Sequence, residues 1–344
     1  MRDGMIFFCL GINYKTASLE LREDAYFLRN KVASFWKAHI PQARILFTCN
    51  RIEVYGEVDS EVLLLNITKS FKAKFKVFSN SYLRLKEKAV LHALRLASGL
   101  ESQIIGEKEI IQQLKSWIAQ EGFSFRLKTI WEEVLSLADE IRIKAGLDEV
   151  NQNIGHIVLE DLLVKLNKRQ DSFKVAIIGT GKLAQIFAQE NNSQVRFYFF
   201  SSKNYERADR LATISGGQAF LLDELPKILK PIDAVISVTK APHYILRKET
   251  IVRALENKKK PFYIYDLSIP RSIEPRLGNI KGVILKNLES LKYLFVKHNQ
   301  KLIFYQRKAE LLIKEFLEFK SGGVSESEDK SWKSAEQACF SPSR

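Results

Sequence analysis

Lys174-Val175-Ala176-Ile177-Ile178-Gly179-Thr180-Gly181-Lys182-Leu183-Ala184 is the stretch that decides the fold of this chain. An apolar strand run enters a G-x-G-x-x-A turn and a helical pattern leaves it. The first glycine permits a tight turn, the second lets backbone approach a pyrophosphate, and the small third residue lets helix and strand pack closely. The start of the helix offers free amides to phosphate. Such a string is weak alone and gains force from its strand–turn–helix setting. Around it the patterns alternate, with strands expected at Lys174–Ile178, Val195–Phe200, Ala234–Thr239, Phe262–Leu267 and Val283–Leu285 and helical stretches at Leu183–Glu190 and Tyr205–Ser215. This predicts an α/β doubly wound (Rossmann-like) domain over 151–286. Its second strand ends in Ser201-Ser202-Lys203, without the carboxylate that would meet a ribose 2′-hydroxyl. Hydroxyls and an ammonium suit a 2′-phosphate, so NADPH is expected over NADH.

Upstream, residues 1–150 read as an α+β domain. Strand patterns occupy 5–12, 44–48 and 52–58; helical patterns occupy 19–38, 86–97, a segment from Glu107, and 125–145. In the last, Ile130, Val134, Leu137 and Ile141 share one face. Downstream, 287–320 forms one long helical pattern whose stripe is Leu291, Leu294, Phe295, Leu302, Ala309, Leu312 and Phe316. A stripe of that length must pack on the preceding domain or on a partner subunit, which makes it a candidate dimerisation element. Residues 321–344 turn polar and are expected to be a disordered tail.

Composition narrows the class. With 46% hydrophobic and 27% charged residues the chain is an ordinary globular one, and no run is apolar enough for a membrane helix. The opening run Ile6-Phe7-Phe8 is too short for a signal peptide, so a cytoplasmic protein is expected. Cys9, Cys49 and Cys339 are too scattered for a disulfide framework, and the five histidines show no ligand spacing, so no metal is expected. A net charge of +14 favours a phosphate-rich partner such as RNA, although solubility alone explains it equally well. The basic residues cluster at Lys69, Lys72, Lys74 and Lys76 around Phe71 and Phe75, and at Lys258-Lys259-Lys260.

Cys9, inside an apolar strand, reads as a small buried hydrophobe, and Cys339 as incidental. Cys49 differs, because it stands at a strand end between Thr48 and Asn50-Arg51. A cationic neighbour favours the thiolate, yet spacing alone leaves nucleophile and structural residue evenly matched. His92 lies beside Leu91, Ala93 and Leu96, where a hydrogen-bonded histidine at a helix edge is the default reading. Its functional reading requires that it approach Cys49.

Ordered blocks then carry a resemblance. Gly11-Ile12-Asn13-Tyr14-Lys15-Thr16-Ala17 followed by Leu21-Arg22-Glu23, Thr48-Cys49-Asn50-Arg51 with Glu53 and Tyr55, and His92 through Leu100 are similar to motifs of the glutamyl-tRNA reductase family. Ser102, Gly106-Glu107, Gln113 and Asp266-Leu267-Ser268-Ile269-Pro270-Arg271 continue the likeness, which spans roughly residues 5–290. The resemblance implies a catalytic pair, Cys49 as nucleophile and His92 assisting. It implies that Thr48, Asn50, Arg51, Ser102, Glu107, Lys108, Glu109 and Gln113 hold the glutamyl group. Arg51 would suit a substrate carboxylate, since its planar fork can bond both oxygens. Gly179, Thr180, Gly181, Lys182, Leu183 and Ala184, with Ser201, Ser202 and Lys203, would hold NADPH. The implied partners are glutamyl-tRNA and the downstream aminomutase. The chain departs from the pattern at Tyr14, where a histidine is usual, at Ser18, and at Lys108, Glu109 and Gln112. One helical segment and a tail follow the nucleotide domain where the family carries a longer dimerisation domain.

The chemistry implied is reduction of an aminoacyl ester through a cysteinyl thioester, the first step of tetrapyrrole synthesis. Cysteine and cofactor belong to different domains, so a domain movement is expected before hydride transfer. Two other classes compete: a non-catalytic RNA-binding, nucleotide-sensing regulator, and a dehydrogenase acting on a free small molecule. The intact Thr48–Arg51 motif argues against the first, and the charge together with the Cys49 and His92 motifs argues against the second.

Overall fold

The computed structural model describes residues 4–149, 153–166, 173–190, 192–255 and 261–320. The Lys258-Lys259-Lys260 run, Cys339 and the polar segment 321–344 lie outside them. Two sheets organise the chain. The first is antiparallel, built from β1 (Ile6–Asn13), β2 (Arg44–Phe47), β3 (Arg51–Val58) and β4 (Tyr82–Leu85) in the order β2-β3-β1-β4. Alternation along β1 sends Phe8, Leu10 and Ile12 to one face and Phe7 and Cys9 to the other. On the first face Ile52, Val54 and Val58 join a core with α1 (Leu19–Phe27), α2 (Arg29–His39) and α3 (Glu61–Lys74). On the opposite face lie α4 (Lys86–Ala97), α5 (Lys108–Ile118) and α6 (Phe125–Ala145), with Trp117, Trp131 and Tyr55 at the centre of their core. The helix expected over 19–38 is thus two helices meeting at Leu28.

The second sheet is wholly parallel. After α7 (Ile154–Leu166), the chain runs through β5 (Phe173–Ile178), α8 (Lys182–Gln189), β6 (Val195–Ser201), α9 (Tyr205–Ser215), β7 (Gln218–Leu221), α10 (Leu225–Ile228), β8 (Ala234–Ser237), α11 (Lys248–Leu255), β9 (Phe262–Asp266) and β10 (Val283–Asn287). Strand order is β10-β9-β8-β5-β6-β7, so the winding reverses between β5 and β8. Alternate residues feed two cores: Val175 and Ile177 pack toward α7, α8 and α9, while Ala176 and Ile178 pack toward Leu225, Leu229 and Ile251. Burial on both faces explains why these strands read as unbroken apolar runs.

The closing segment departs from the single helix expected over 287–320. It folds as α12 (Lys292–Gln300) and α13 (Ile303–Lys320), separated by a turn at Lys301-Leu302. The break has a packing cause. Leu291 and Phe295 belong to the core of the parallel sheet, whereas Ala309 and Ile313 are buried in the core beside α4 and α6. Residues of the expected stripe are therefore used within the chain, as a strap from the second domain back to the first. No helix among the described residues is long and apolar enough to cross a membrane.

Candidate active site

The β2–β3 turn is held by its own threonine. Thr48 Oγ1 accepts from the amides of Asn50 and Arg51, both at 3.2 Å, and the Thr48 amide donates to the Arg51 carbonyl at 2.9 Å. Local side-chain bonding of this kind fixes a tight turn, and here it presents Cys49 to solvent as a free thiol. Beneath it, the almost wholly buried Arg22 of α1 donates through Nη1 to the Cys49 carbonyl at 2.6 Å. Protein mass around the turn raises the Cys49 thiol to about 11, and the Glu107 carboxylate adds to the rise; Arg22, the backbone amide and Arg51 oppose it. The resting sulfur is thus a thiol that needs a base.

Asn50 links the turn to the next segment. Gln103 Nε2 donates to Asn50 Oδ1 at 2.6 Å, and Asn50 Nδ2 donates to Glu107 Oε1 at 3.5 Å. The segment between α4 and α5 is pinned by one guanidinium: Arg142 of α6 reaches the carbonyls of Ser98, Gly106 and Glu107 at 3.1, 2.9 and 3.3 Å. Gly99 has φ of +82°, and a Cβ there would stand 2.8 Å from the Gly106 Cα, so the two ends of the segment close only around glycine. From the strap, Asn299 clamps the middle, its Oδ1 accepting from the Ile105 amide at 3.0 Å and its Nδ2 donating to the Gln103 carbonyl at 2.8 Å. Ser102 is buried beside Glu107, and Tyr14, standing where the family resemblance expects histidine, donates its hydroxyl to the Ser102 carbonyl at 3.1 Å.

Arg51 and His92 both turn inward. Arg51 is 0% exposed; Nη1 is 3.1 Å from Glu53 Oε1 and Nη2 donates to the Glu101 carbonyl. Two arms of its fork bond inside the domain, and its Nε is buried without a partner among the described residues. His92 is buried on α4 with Nε2 2.9 Å from the same Glu53 oxygen, and its ring packs on Tyr82. Tyr82 and Tyr55 also donate to Glu53, the latter at 2.6 Å. Four donors on one carboxylate hold its pKa far below the usual range against burial, with Arg51 the largest stabiliser and His92 next. Cys9 shares this pocket, its possible ligand atom lying within 4.8 Å of those of Glu53 and His92. The arrangement gathers four donors on one carboxylate, while among the described residues His92 Nδ1 and Arg51 Nε are buried without a partner; the hub includes His92 and not Cys49.

Among the other expected glutamyl contacts, Glu107, Glu109 and Gln113 are half-buried at the start of α5. Lys108 turns away, its ammonium donating to the Asp148 carbonyl at 2.8 Å. Sequence reasoning missed Arg22, Gln103, Arg142 and Asn299. Arg22 lay within a quoted motif, whereas Asn299 carries no local signal, being 196 residues from the carbonyl it holds.

The nucleotide loop follows from β5. Gly179 has φ of +118°, and a Cβ there would stand 3.0 Å from the Val238 carbonyl at the end of β8, so the loop sits where the winding reverses. In such sheets that crevice receives the ligand. A Cβ at Gly181 would meet nothing within 4 Å, and α8 starts there with no side-chain cap on its first amides. Ala184 is fully buried against the sheet. Open backbone, uncapped amides and a close helix fit a dinucleotide pyrophosphate. Thr180 and Leu183 are half-buried and Lys182 is exposed; burial raises the Glu109 carboxyl, and Lys182 is among the groups that oppose the rise. Ser201 caps the turn after β6 by accepting from the Asn204 amide at 3.1 Å, and Ser202 and Lys203 are exposed beside it. The domains are tied across by Arg271 Nη2 to Glu23 at 2.7 Å and by Arg22 Nη2 to Glu289 at 3.6 Å. Arg271 belongs to a loop folded around Asp266, which accepts from the Ser268, Ser272 and Ile273 amides; burial still raises its carboxyl to about 6.

An exposed cysteine on an α+β domain, strapped to a parallel-sheet domain that binds a dinucleotide, defines an oxidoreductase of two linked domains. Comparison with known proteins agrees. The description "Glutamyl-tRNAGlu reductase, N-terminal domain" matches residues 10–144, and "Shikimate / quinate 5-dehydrogenase" matches 161–294. The glutamyl-tRNA reductase of Sulfurihydrogenibium sp. is 28% identical over 91% of this chain and 75% of its own, and that of Moorella thermoacetica 29% over 88% and 73%. A solved glutamyl-tRNA reductase from Methanopyrus kandleri aligns at 25% identity over 91% of this chain and 80% of that one, with a TM-score of 0.41. The chain thus carries a glutamyl-tRNA reductase N-terminal domain over residues 10–144 and is similar to glutamyl-tRNA reductases over about nine-tenths of its length.

Proposed function

We propose that this chain reduces the glutamyl group of glutamyl-tRNA to glutamate-1-semialdehyde through a thioester on Cys49, with NADPH as reductant, as the first step of tetrapyrrole synthesis. The observation that carries the reading is the exposed Cys49 thiol on a turn locked by Thr48 and by the buried Arg22. Sulfur attacks the activated ester carbon, the ribose oxygen leaves, and the glutamyl group remains on the enzyme as a thioester. Sulfur donates weakly into that carbonyl, so the carbon stays electrophilic. The bound dinucleotide would supply hydride to it, and the resulting thiohemiacetal releases aldehyde and restores Cys49.

Thr48, Asn50, Ser102, Glu107, Glu109 and Gln113 are the proposed lining of the glutamyl site, with Glu109 and Gln113 the outermost. His92 acts through Glu53 and Arg51, keeping the strand that carries Cys49 in register. Gly179 through Ala184 receive the pyrophosphate, and Ser201, Ser202 and Lys203 the 2′-phosphate. The Glu23–Arg271 and Arg22–Glu289 ties are the contacts that a domain movement would make and break. The reading places the protein in the cytoplasm, handing its aldehyde to the downstream aminomutase.

Incubation with radiolabelled glutamyl-tRNA and no reductant should leave a covalent glutamyl adduct on the wild type and none on Cys49→Ser. Addition of NADPH should convert that adduct to aldehyde. Aldehyde formation by Cys49→Ser at the normal rate would refute the reading.

A further inference from the structure

The transfer to Cys49 has two unmet proton demands. The thiol, raised to about 11, must lose a proton before sulfur attacks, and the ribose oxygen must gain one as it leaves. His92 spends Nε2 on Glu53 inside the α4 core and leaves Nδ1 buried without a partner among the described residues, and it is not among the groups that act on the Cys49 thiol. Tyr14 is spent on the Ser102 carbonyl. Among the described residues, Glu107 is the carboxylate that acts on the Cys49 thiol. Glu107 immediately precedes α5, is half-buried, and bonds through Oε1 to Asn50, the neighbour of Cys49, at 3.5 Å. Its charge is second only to burial in raising the Cys49 thiol, which places it within electrostatic reach of the sulfur. Its carbonyl is fixed by Arg142 and its amide donates to the Ile104 carbonyl at 3.3 Å, so its backbone is anchored at both ends.

We infer that Glu107 is the proton shuttle of this half-reaction: its carboxylate takes the Cys49 proton as sulfur attacks, and its carboxyl returns that proton to the departing ribose oxygen. The C–S bond forms, the ester C–O bond breaks, the proton ends on the ribose hydroxyl, and no electrons are gained or lost. The inference rests on the thioester reading above and assigns its acid and base. The groups facing Glu107 account for its readiness. Burial and the Glu109 carboxylate raise it, Ser102, Arg51 and Arg142 lower it, and the balance stands at about 7. A carboxyl there is populated in both forms at neutral pH, the condition under which one group serves as base and then acid.

Glu107→Gln separates shuttle from scaffold, since the amide oxygen still accepts from Asn50. Rapid-quench measurement of the glutamyl adduct, without NADPH and from about pH 5 to about pH 9, should show acylation slowed by about 100-fold or more, with the inflection near neutrality gone. Iodoacetamide should modify Cys49 in the same variant at least as fast as in wild type, because removing a negative neighbour lowers the thiol pKa. Formate should restore part of the acylation rate to Glu107→Ala. Acylation within about threefold of wild type and an unchanged pH profile would overturn the inference. So would a parallel fall in acylation and alkylation without formate rescue, which marks a damaged turn. A wild type that makes aldehyde with no adduct would instead overturn the thioester reading itself.

Discussion

The two sheets treat charge in opposite ways. Behind the antiparallel sheet the first domain buries Arg51, Glu53, His92, Glu101 and Arg142, each bonded to another of them or to backbone. The parallel sheet of the second domain is apolar on both faces, and its buried polar groups, Ser201, Ser237, Asp266, Ser268 and Ser272, gather at or beyond strand ends. The difference follows from what each must position. A nucleophile that acts by direct attack needs a turn held from beneath, and a charged network specifies one geometry. A dinucleotide is received by backbone amides at a loop, so the sheet under it needs only to be rigid.

The strongest way to break this comparison is to remove the centre of the network. Glu53→Ala leaves Arg51 and His92 buried without their shared acceptor, an arrangement that costs about 3–5 kcal/mol. Denaturant unfolding should show that loss in the first domain, together with loss of adduct formation, although Glu53 does not touch Cys49. If Glu53→Ala unfolds at the wild-type denaturant concentration, the hub is not what holds the turn.

The same contrast explains what could be read in advance. The parallel domain was legible because its signals are local: unbroken apolar runs, a glycine turn and a helix start lie adjacent along the chain. The first domain announced its motifs, Thr48–Arg51 and His92 through Leu100, but not the use of their side chains. The resemblance implies Arg51 as a partner of the substrate carboxylate, and its bond to Glu53, two residues away on the same side of β3, carries no mark in that motif. Strand alternation places those two side chains together, but only the burial of that face by α4 turns them inward. Asn299 could not be anticipated at all, since its partners come together only after the strap crosses between domains.

That strap gives a finer test. Asn299→Ala removes two hydrogen bonds to the segment that carries Gln103, at a stability cost of about 1–2 kcal/mol. The effect on chemistry should be larger and selective, because Gln103 holds Asn50 beside the nucleophile. Adduct formation should slow while dinucleotide affinity, read by protein fluorescence quenching, stays at the wild-type value. Equal loss of both would mean that the strap supports the whole molecule and not the turn.

The smallest structural effect is expected in the nucleotide loop, where two glycines differ. Gly181 has no neighbour within 4 Å of an added Cβ and lies at a negative φ, so Gly181→Ala should leave the unfolding midpoint unchanged. Gly179 sits at φ +118° with the Val238 carbonyl 3.0 Å from an added Cβ, so Gly179→Ala carries both strain and a clash. A methyl at Gly181 would nonetheless occupy the space through which a pyrophosphate approaches the α8 amides. Gly181→Ala should therefore raise the KM for NADPH with no loss of stability and no change in adduct formation, since Gly181 holds none of the groups around Cys49. A Gly181→Ala variant that binds NADPH as the wild type does would show that the pyrophosphate lies elsewhere along the crevice.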